Sequence, residues 1–112
     1  MKPPTGRPIG FLAALALALL AMPAQADPSG PRKAELKAFV EQDCGSCHGM
    51  TLKGGLGKPL TKDALAEIPA EALVSAILDG RPGTPMPPWR GMVAEDEAEW
   101  IAHFLKGETD VR

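Results

Sequence analysis

The chain has little cysteine and little histidine. Cys44 and Cys47 are the only cysteines in 112 residues, and His48 and His103 are the only histidines. A disulfide between two residues three apart would close a very small loop, and such a loop stabilises a fold little. A structural zinc site normally takes four protein ligands, and outside the Cys44–His48 segment only His103 is left, with no further cysteine, so a zinc site is poorly supported. The small number of cysteines and histidines therefore argues against a stabilising disulfide and against a structural zinc site. A redox-active Cys-x-x-Cys pair remains as an alternative.

Basic charge is also scarce. The region 27–112 has 86 residues, with 10 Lys and Arg against 14 Asp and Glu. This balance argues against a nucleic-acid partner, which requires a basic surface. A chain of this length builds only a thin core, and small domains often depend on a disulfide, a metal or a cofactor.

The segment 9–22 lacks charge altogether. This apolar run follows Lys2 and Arg7, and Ala-Gln-Ala at 24–26 comes directly after it. A positive start, an apolar run and a small-residue cleavage site are the layout of a secretory signal peptide. The run is shorter than the roughly 20 apolar residues that a membrane-spanning helix needs, which argues against an anchor. We therefore expect 1–26 to be a cleavable signal peptide and 27–112 to be one exported, periplasmic domain.

The ligands that are present form one compact motif, Cys44-Gly-Ser-Cys47-His48. Cys-x-x-Cys-His is typical of a c-type haem attachment site. Cys44 and Cys47 can each form a thioether bond with a porphyrin vinyl group, and His48 then reaches the iron. The motif predicts one covalently bound haem c.

The sixth iron position has four candidate ligands: Met50, Met86, Met92 and His103. Met50 is too close to His48 along the chain to reach the opposite face of a haem. His103 falls outside the apolar stripe of its predicted helix, which favours a solvated side chain. Met86 lies among four prolines, and a stiff loop can hold a weak thioether ligand at a fixed position. We predict Met86 as the ligand, with Met92 and a purely structural proline-rich turn as alternatives.

The pattern elsewhere is helical. Apolar spacing and capping residues predict helices over about 31–43, 62–67, 69–80 and 95–106. Ser29 or Gly30 should cap the first helix and Thr61 the second, whereas Ala94 is a weak cap for the last. No alternating strand pattern occurs, so the sequence predicts an all-α fold. Trp89 fits either plain packing or a contact with the haem edge.

These motifs together resemble the small class I cytochromes c. The resemblance rests on CGSCHG at 44–49, on PMPPW at 85–89 and on EAEWIAHFLKG at 97–107, and covers nearly all of 27–112. More narrowly, CGSCHGMTLKGGLG with ILDGRPGTPMPPW is similar to the NirC type of denitrifying bacteria. It implies three to five helices around one haem, Cys44 and Cys47 as anchors, and His48 and Met86 as axial ligands. It also implies a setting beside a cd-type nitrite reductase, as electron donor or in maturation of its d-type haem.

One departure from the family pattern concerns the histidine. The family usually carries Gly-Pro two residues before the loop leucine, and a carbonyl of that region fixes the proximal imidazole. Here Lys58 separates Gly57 from Pro59, so the proline is displaced by one position. We expect a backbone carbonyl near Pro59 to accept from His48.

The favoured function is a monomeric electron carrier that is not an enzyme. Its partners would be redox proteins, with no membrane span after cleavage. The alternatives are a maturation factor, a haem enzyme or gas sensor with an open sixth site, and a thiol oxidoreductase. A set of basic residues lies in the segment expected around the haem edge: Lys53, Lys58, Lys62, Arg81 and Arg90. Four acidic residues are interspersed, so a scattered solvated surface is the simpler interpretation.

Overall fold

The computed structural model describes residues 1–6 and 27–109. Most of the expected signal peptide and its cleavage site lie outside these residues, so that expectation remains a prediction. Within the part of the chain that is described, no helix is long and apolar enough to cross a membrane.

The described part consists of helices joined by loops and contains no strand, which confirms the all-α prediction. The elements, in chain order, are α1 Gly30–Phe39, a π-helical turn Val40–Cys44, α2 Gly45–His48, α3 Lys62–Leu65, α4 Ala70–Asp79 and α5 Glu95–Leu105.

The first helical stretch starts as expected and ends later than expected. The Ser29 hydroxyl accepts from the Arg32 N–H at 3.3 Å, and Pro31 occupies the first turn. The predicted end at residue 43 was wrong, because helical backbone continues through the π turn and α2 to His48. The haem motif is therefore part of the helix rather than a segment following it. A π turn inserts a residue into a helix and changes the direction of the side chains that follow.

The core lies where α5 packs on α4 and on the first helical stretch. Its largest fully buried side chains are Leu36, Val40, Val93 and Ile101. Trp100 is buried and stacks on Phe104, with ring centroids 5.2 Å apart. Burial of these apolar groups, worth about 25 cal/mol per Å² removed from water, is the main term that stabilises the fold.

An arginine joins the start of α1 to the start of α5. The Arg32 Nε and Nη2 atoms donate to the Glu97 carboxylate at 2.6 and 3.0 Å, and Nη2 also donates to the Met92 carbonyl at 3.3 Å. Ala94 supplies no side-chain cap, as expected, but Glu97 accepts from the Ala94 N–H at 3.0 Å. Glu97 thus supports the start of α5 and binds α1 at the same time.

A lysine closes the opposite end of α5. The Lys106 Nζ atom donates to the carbonyls of Leu65, Ala66 and Ile68 at 2.9, 3.2 and 2.7 Å. These carbonyls lie at and just after the end of α3, which Thr61 caps as predicted and which ends at Leu65, two residues earlier than expected. A cation at the carbonyls of a helix C-terminus stabilises that end of the helix.

Candidate cofactor site

Both cysteines lie on helical backbone. Cys44 ends the π turn, and Cys47 lies one turn later in α2, directly before His48. Residues three apart on a helix lie on neighbouring positions of one face. Both thiols are free; Cys44 is half-buried against the core and Cys47 is exposed. The helix therefore presents two thiols and an imidazole within one turn.

The pKa of the Cys44 thiol is too high for efficient thiol exchange. Burial, followed by the charge of Asp43, raises the pKa of Cys44 to about 11. Redox-active Cys-x-x-Cys pairs depend instead on a lowered thiol pKa, because the thiolate is the nucleophile. This observation disfavours the thiol oxidoreductase alternative.

The imidazole of His48 is held by the loop that follows it. Its Nδ1 atom lies 2.6 Å from the carbonyl oxygen of Lys58. A carbonyl can only accept, so Nδ1 carries the proton and Nε2 keeps its lone pair for a metal. The expected carbonyl near Pro59 is thus that of Lys58.

The same loop is bonded to the backbone of the motif. Gly54 N–H donates to the His48 carbonyl at 2.8 Å, and Gly57 N–H donates to the Cys47 carbonyl at 2.7 Å. A Cβ atom at Gly57 would lie 2.6 Å from His48 Nδ1, which is far inside van der Waals contact. Position 57 therefore has to be glycine for the ring to lie where it does.

Met86 lies in a closed loop between α4 and α5. Arg81 N–H donates to the Met86 carbonyl at 3.2 Å. The Thr84 hydroxyl donates to the Arg81 carbonyl at 2.6 Å and accepts from the Met86 N–H at 3.3 Å. Gly80 has a φ of 68°, and a Cβ there would lie 2.7 Å from the Met86 carbonyl. The loop is thus formed by the protein alone, with Met86 half-buried in it.

Sequence reasoning missed the parts that Gly80 and Thr84 play in this loop. The only signal for Gly80 was a glycine at a helix end before a proline-rich stretch. Nothing in the sequence indicates that the Thr84 hydroxyl bridges two backbone positions, because that contact exists only once the loop is closed.

The other candidate ligands are in less suitable places. The side chains of Met50 and Met92 are 68% and 61% exposed. His103 is half-exposed, and its Nδ1 lies 2.7 Å from the Glu108 carboxylate. Trp89 packs edge-on against Phe39 with centroids 5.0 Å apart, as the packing interpretation of this residue expects. Among the candidates, Met86 is the methionine that is both partly buried and held by its loop.

The residues present fit a c-type haem. Two thiols on one helix face, and an imidazole with a free Nε2, are the donor set that such a group requires. Several half-buried apolar side chains pack on the core and keep part of their surface open, which suits a flat apolar macrocycle: Phe39, Leu52, Leu60, Leu73, Val74, Trp89 and Phe104.

Several known proteins are similar to this chain in sequence or in fold. Residues 31–105 match the family described as cytochrome c oxidase, cbb3-type, subunit III. The chain is 54% identical over 99 residues to cytochrome c55X of Paracoccus denitrificans (strain Pd 1222), which covers 87% of this chain and 96% of that protein. A solved structure of the c-type cytochrome NirC superposes with a TM-score of 0.70 at 50% identity, covering 71% of this chain and 94% of that one.

A more distant likeness involves an enzyme. Over 69 residues the chain is 30% identical to part of dihydro-heme d1 dehydrogenase of Pseudomonas aeruginosa, which is 62% of this chain and 14% of that protein.

Proposed function

The chain belongs to the c-type cytochrome family of cbb3-type oxidase subunit III, and from this membership we propose that it delivers single electrons to a cd-type nitrite reductase in the periplasm. The membership confirms haem c as the cofactor, the small class I cytochrome c fold, and electron transfer as the general function. The nitrite reductase partner, the periplasmic location, the monomeric state and the lack of an enzymatic activity belong to the proposal.

We assign the residues as follows. Cys44 and Cys47 would form the two thioether bonds to the haem, and His48 Nε2 and the Met86 sulfur would bind its iron. The haem supplies a one-electron couple. The protein's part is to hold both axial side chains in place, through the Lys58 carbonyl and the closed Met86 loop. If both side chains bind the iron, no iron position would be left for a substrate, which supports a carrier rather than a haem enzyme or gas sensor.

The observation that carries the denitrification setting is the 50% identity to the c-type cytochrome NirC. The closed Met86 loop supports the carrier role independently. A loop held by its own hydrogen bonds should keep Met86 in place in either oxidation state of a bound haem, so that little rearrangement would accompany electron transfer.

The direct test mixes the reduced protein with oxidised cd-type nitrite reductase in a stopped-flow instrument. We expect cytochrome oxidation whose rate rises with enzyme concentration and which sustains nitrite turnover. The Cys44→Ala/Cys47→Ala variant, which lacks both covalent attachment points, is the control. Slow or absent oxidation of a protein with a normal His–Met spectrum would contradict the proposal.

A second candidate function is assembly of the d-type haem of that nitrite reductase. It is favoured by the likeness to part of the dihydro-heme d1 dehydrogenase. A dehydrogenation releases two electrons and two protons, so two molecules of a one-electron carrier could take the electrons from one turnover. Reduction of the oxidised protein during turnover of that dehydrogenase, without transfer to nitrite reductase, would favour this candidate. Reduction by neither enzyme would argue against both.

A further inference from the structure

Leu52 has a backbone conformation that leucine disfavours. Its φ is 58°, and it is the single non-glycine residue with a positive φ in the described ranges. A left-handed backbone brings the Cβ atom too close to the carbonyl that follows, so glycine normally occupies such positions. The same loop uses glycine at Gly49 and Gly54, whose φ values are 90° and 110°. A leucine at position 52 is therefore costly unless its side chain provides something that glycine cannot.

The side chain of Leu52 is half-buried and packs against the hydrophobic core. Leu56, four residues later in the same loop, is 96% exposed by contrast. The Leu52 N–H donates to the Gly49 carbonyl at 2.8 Å, and its carbonyl accepts from the Leu60 N–H at 2.9 Å. Leu60 also packs against the core. The apolar contact is thus made at the point where the loop 49–60 closes on itself.

The closed loop carries the carbonyl that orients the His48 ring. This carbonyl belongs to Lys58, and its oxygen lies 2.6 Å from His48 Nδ1. Lys58 precedes Leu60 by two residues, and Leu60 is bonded to Leu52. A loop that lifted away from the core at Leu52 would therefore release the residues next to the Lys58 carbonyl as well.

Two further hydrogen bonds hold the middle of this loop to the Cys-x-x-Cys-His motif. The N–H groups of Gly54 and Gly57 donate to the carbonyls of His48 and Cys47 at 2.8 and 2.7 Å. Hydrogen bonds that water can replace contribute little net stability, and glycine has no side chain to bury. The contact of Leu52 supplies what these bonds lack, which is apolar surface removed from water when the loop closes.

We propose that Leu52 is a positioning residue for His48. Its side chain anchors the loop 49–60 to the core and so keeps the Lys58 carbonyl against the imidazole. A strained backbone persists where the surrounding structure holds it, and the core contact is what holds Leu52. The proposal rests on His48 as an iron ligand, and adds a residue outside the motif that controls how strongly the imidazole donates to the iron.

The first test measures hydrogen exchange in the reduced holoprotein by nuclear magnetic resonance. An N–H group exchanges when its segment opens, so the amides of Gly54 and Gly57 and the His48 Nδ1 proton report on this loop. Leu52→Ala keeps the strained backbone and removes the contact. We expect these three protons to exchange about ten-fold faster in this variant, since part of a buried leucine side chain is lost.

Two controls separate this role from a general loss of stability. Leu56→Ala removes an exposed leucine from the same loop and should leave the three rates unchanged. Ile101→Val weakens the core within α5, and should speed exchange in α5 without changing the three loop rates. Wild-type loop rates in Leu52→Ala, with faster exchange in α5 only, would make Leu52 an ordinary packing residue and overturn the proposal.

A glycine variant distinguishes an anchoring leucine from one that is merely tolerated. Glycine adopts a positive φ without strain, so a tolerated leucine predicts that Leu52→Gly closes the loop at least as firmly as the wild type. We expect faster exchange instead, because the contact is lost. Leu56→Gly measures the effect of added backbone freedom alone, and a Leu52→Gly rate no higher than this control would overturn the proposal. Leu52→Met, which keeps a flexible apolar side chain, should restore slow exchange.

The reduction potential gives a second readout that packing alone would not move. Leu52→Ala should raise it, because an imidazole with a weaker Nδ1–H bond donates less to ferric iron. Leu56→Ala should leave the potential unchanged in the same voltammetry. An unchanged potential in Leu52→Ala would contradict the link to the iron. No partner enzyme enters these measurements, so a protein that fails to react with nitrite reductase would defeat the proposed function while exchange still decides the role of Leu52.

Discussion

At the scale of single residues, the orientation of the His48 ring depends on one carbonyl and on one missing side chain. The Lys58 carbonyl fixes the proton on Nδ1, and Gly57 leaves the space in which the ring lies. An Nδ1–H donor bond increases the electron donation from Nε2, as second-shell acceptors do in other histidine metal sites. The same contact holds the ring in position and, with iron bound at Nε2 as proposed, would also stabilise the oxidised iron.

Gly57→Ala should disturb that contact. The new methyl group would displace the ring and weaken the Nδ1–H bond to Lys58, at a cost of about 1 kcal/mol in the free energy of unfolding. We expect the reduction potential to rise, because a less donating imidazole stabilises ferric iron less. Voltammetry and urea unfolding measure the two effects. Gly91→Ala is the control, since no atom lies within 4 Å of a Cβ there. Equal potentials for the two variants would argue against the contact's role.

Met86→Ala should abolish the thioether-to-iron charge-transfer band of the oxidised protein and permit rapid carbon monoxide binding to the reduced protein. The reason is that, among the methionines in the described residues, Met86 alone is both partly buried and held by its loop. Visible absorption spectroscopy measures both effects. Met92→Ala, at the alternative position, should leave the band intact. A band that survives in Met86→Ala and disappears in Met92→Ala would reverse the assignment.

At the scale of elements, the carboxylate of Glu97 joins two helices. Hydrogen bonds from Arg32, and then from the Ala94 N–H, hold the pKa of Glu97 below its usual range. Because the folded-state pKa is depressed, this stabilisation is fully present above the ordinary glutamate pKa of about 4.3. It is lost as the pH falls through the lowered folded value.

Glu97→Gln should accordingly lower the free energy of unfolding at pH 7 by about 1 kcal/mol, and by less at pH 3. Urea unfolding at the two pH values, followed by circular dichroism, measures this difference. Glu35→Gln, which removes a more exposed partner of the same arginine, should have a smaller effect. A loss of the same size at both pH values would show that charge is not the reason.

The elements also show how far sequence reasoning reaches. Caps at Ser29 and Thr61 and the stripe of α5 could be predicted, because they depend on neighbours within one or two turns. The π turn that ends at Cys44 could not, because no local sequence signal marks it. A weak Ala94 cap was predicted, but the support from Glu97 was not, and the bond of Glu97 to Arg32 spans 65 positions.

The residues of the site also differ in whether the sequence alone predicts them. Cys44, Cys47 and His48 lie close together in the sequence, in one Cys-x-x-Cys-His motif, so the motif suffices to predict them. The Lys58 carbonyl was expected only to within a residue or two, since a backbone acceptor leaves no mark in the side-chain sequence. The hydrogen bonds of Thr84 could not be predicted, because they depend on the closed conformation of the Met86 loop.

At the scale of the whole molecule, the predicted signal peptide determines which chain folds. Expression of the full-length gene should give a periplasmic protein that begins at Asp27. The apolar run 9–22 would then be absent from the mature product. Intact-mass spectrometry of the periplasmic fraction measures this, and Ala26→Pro should block cleavage. A membrane-bound product that retains Met1 would contradict the prediction.

The distribution of charge has a practical consequence for immobilised protein. Net charge alone predicts that a carboxylate-coated electrode would repel this molecule. The stretches 44–62 and 80–94, which contain Cys44, Cys47, His48 and Met86, have no acidic residue and five basic ones. They should nevertheless attach to this coating and place the haem side against it. Direct voltammetry should therefore be fast on this surface and weak on an amine coating, where the acidic helices would attach. The protein would therefore adopt an orientation on the electrode that favours electron transfer, without an engineered tag.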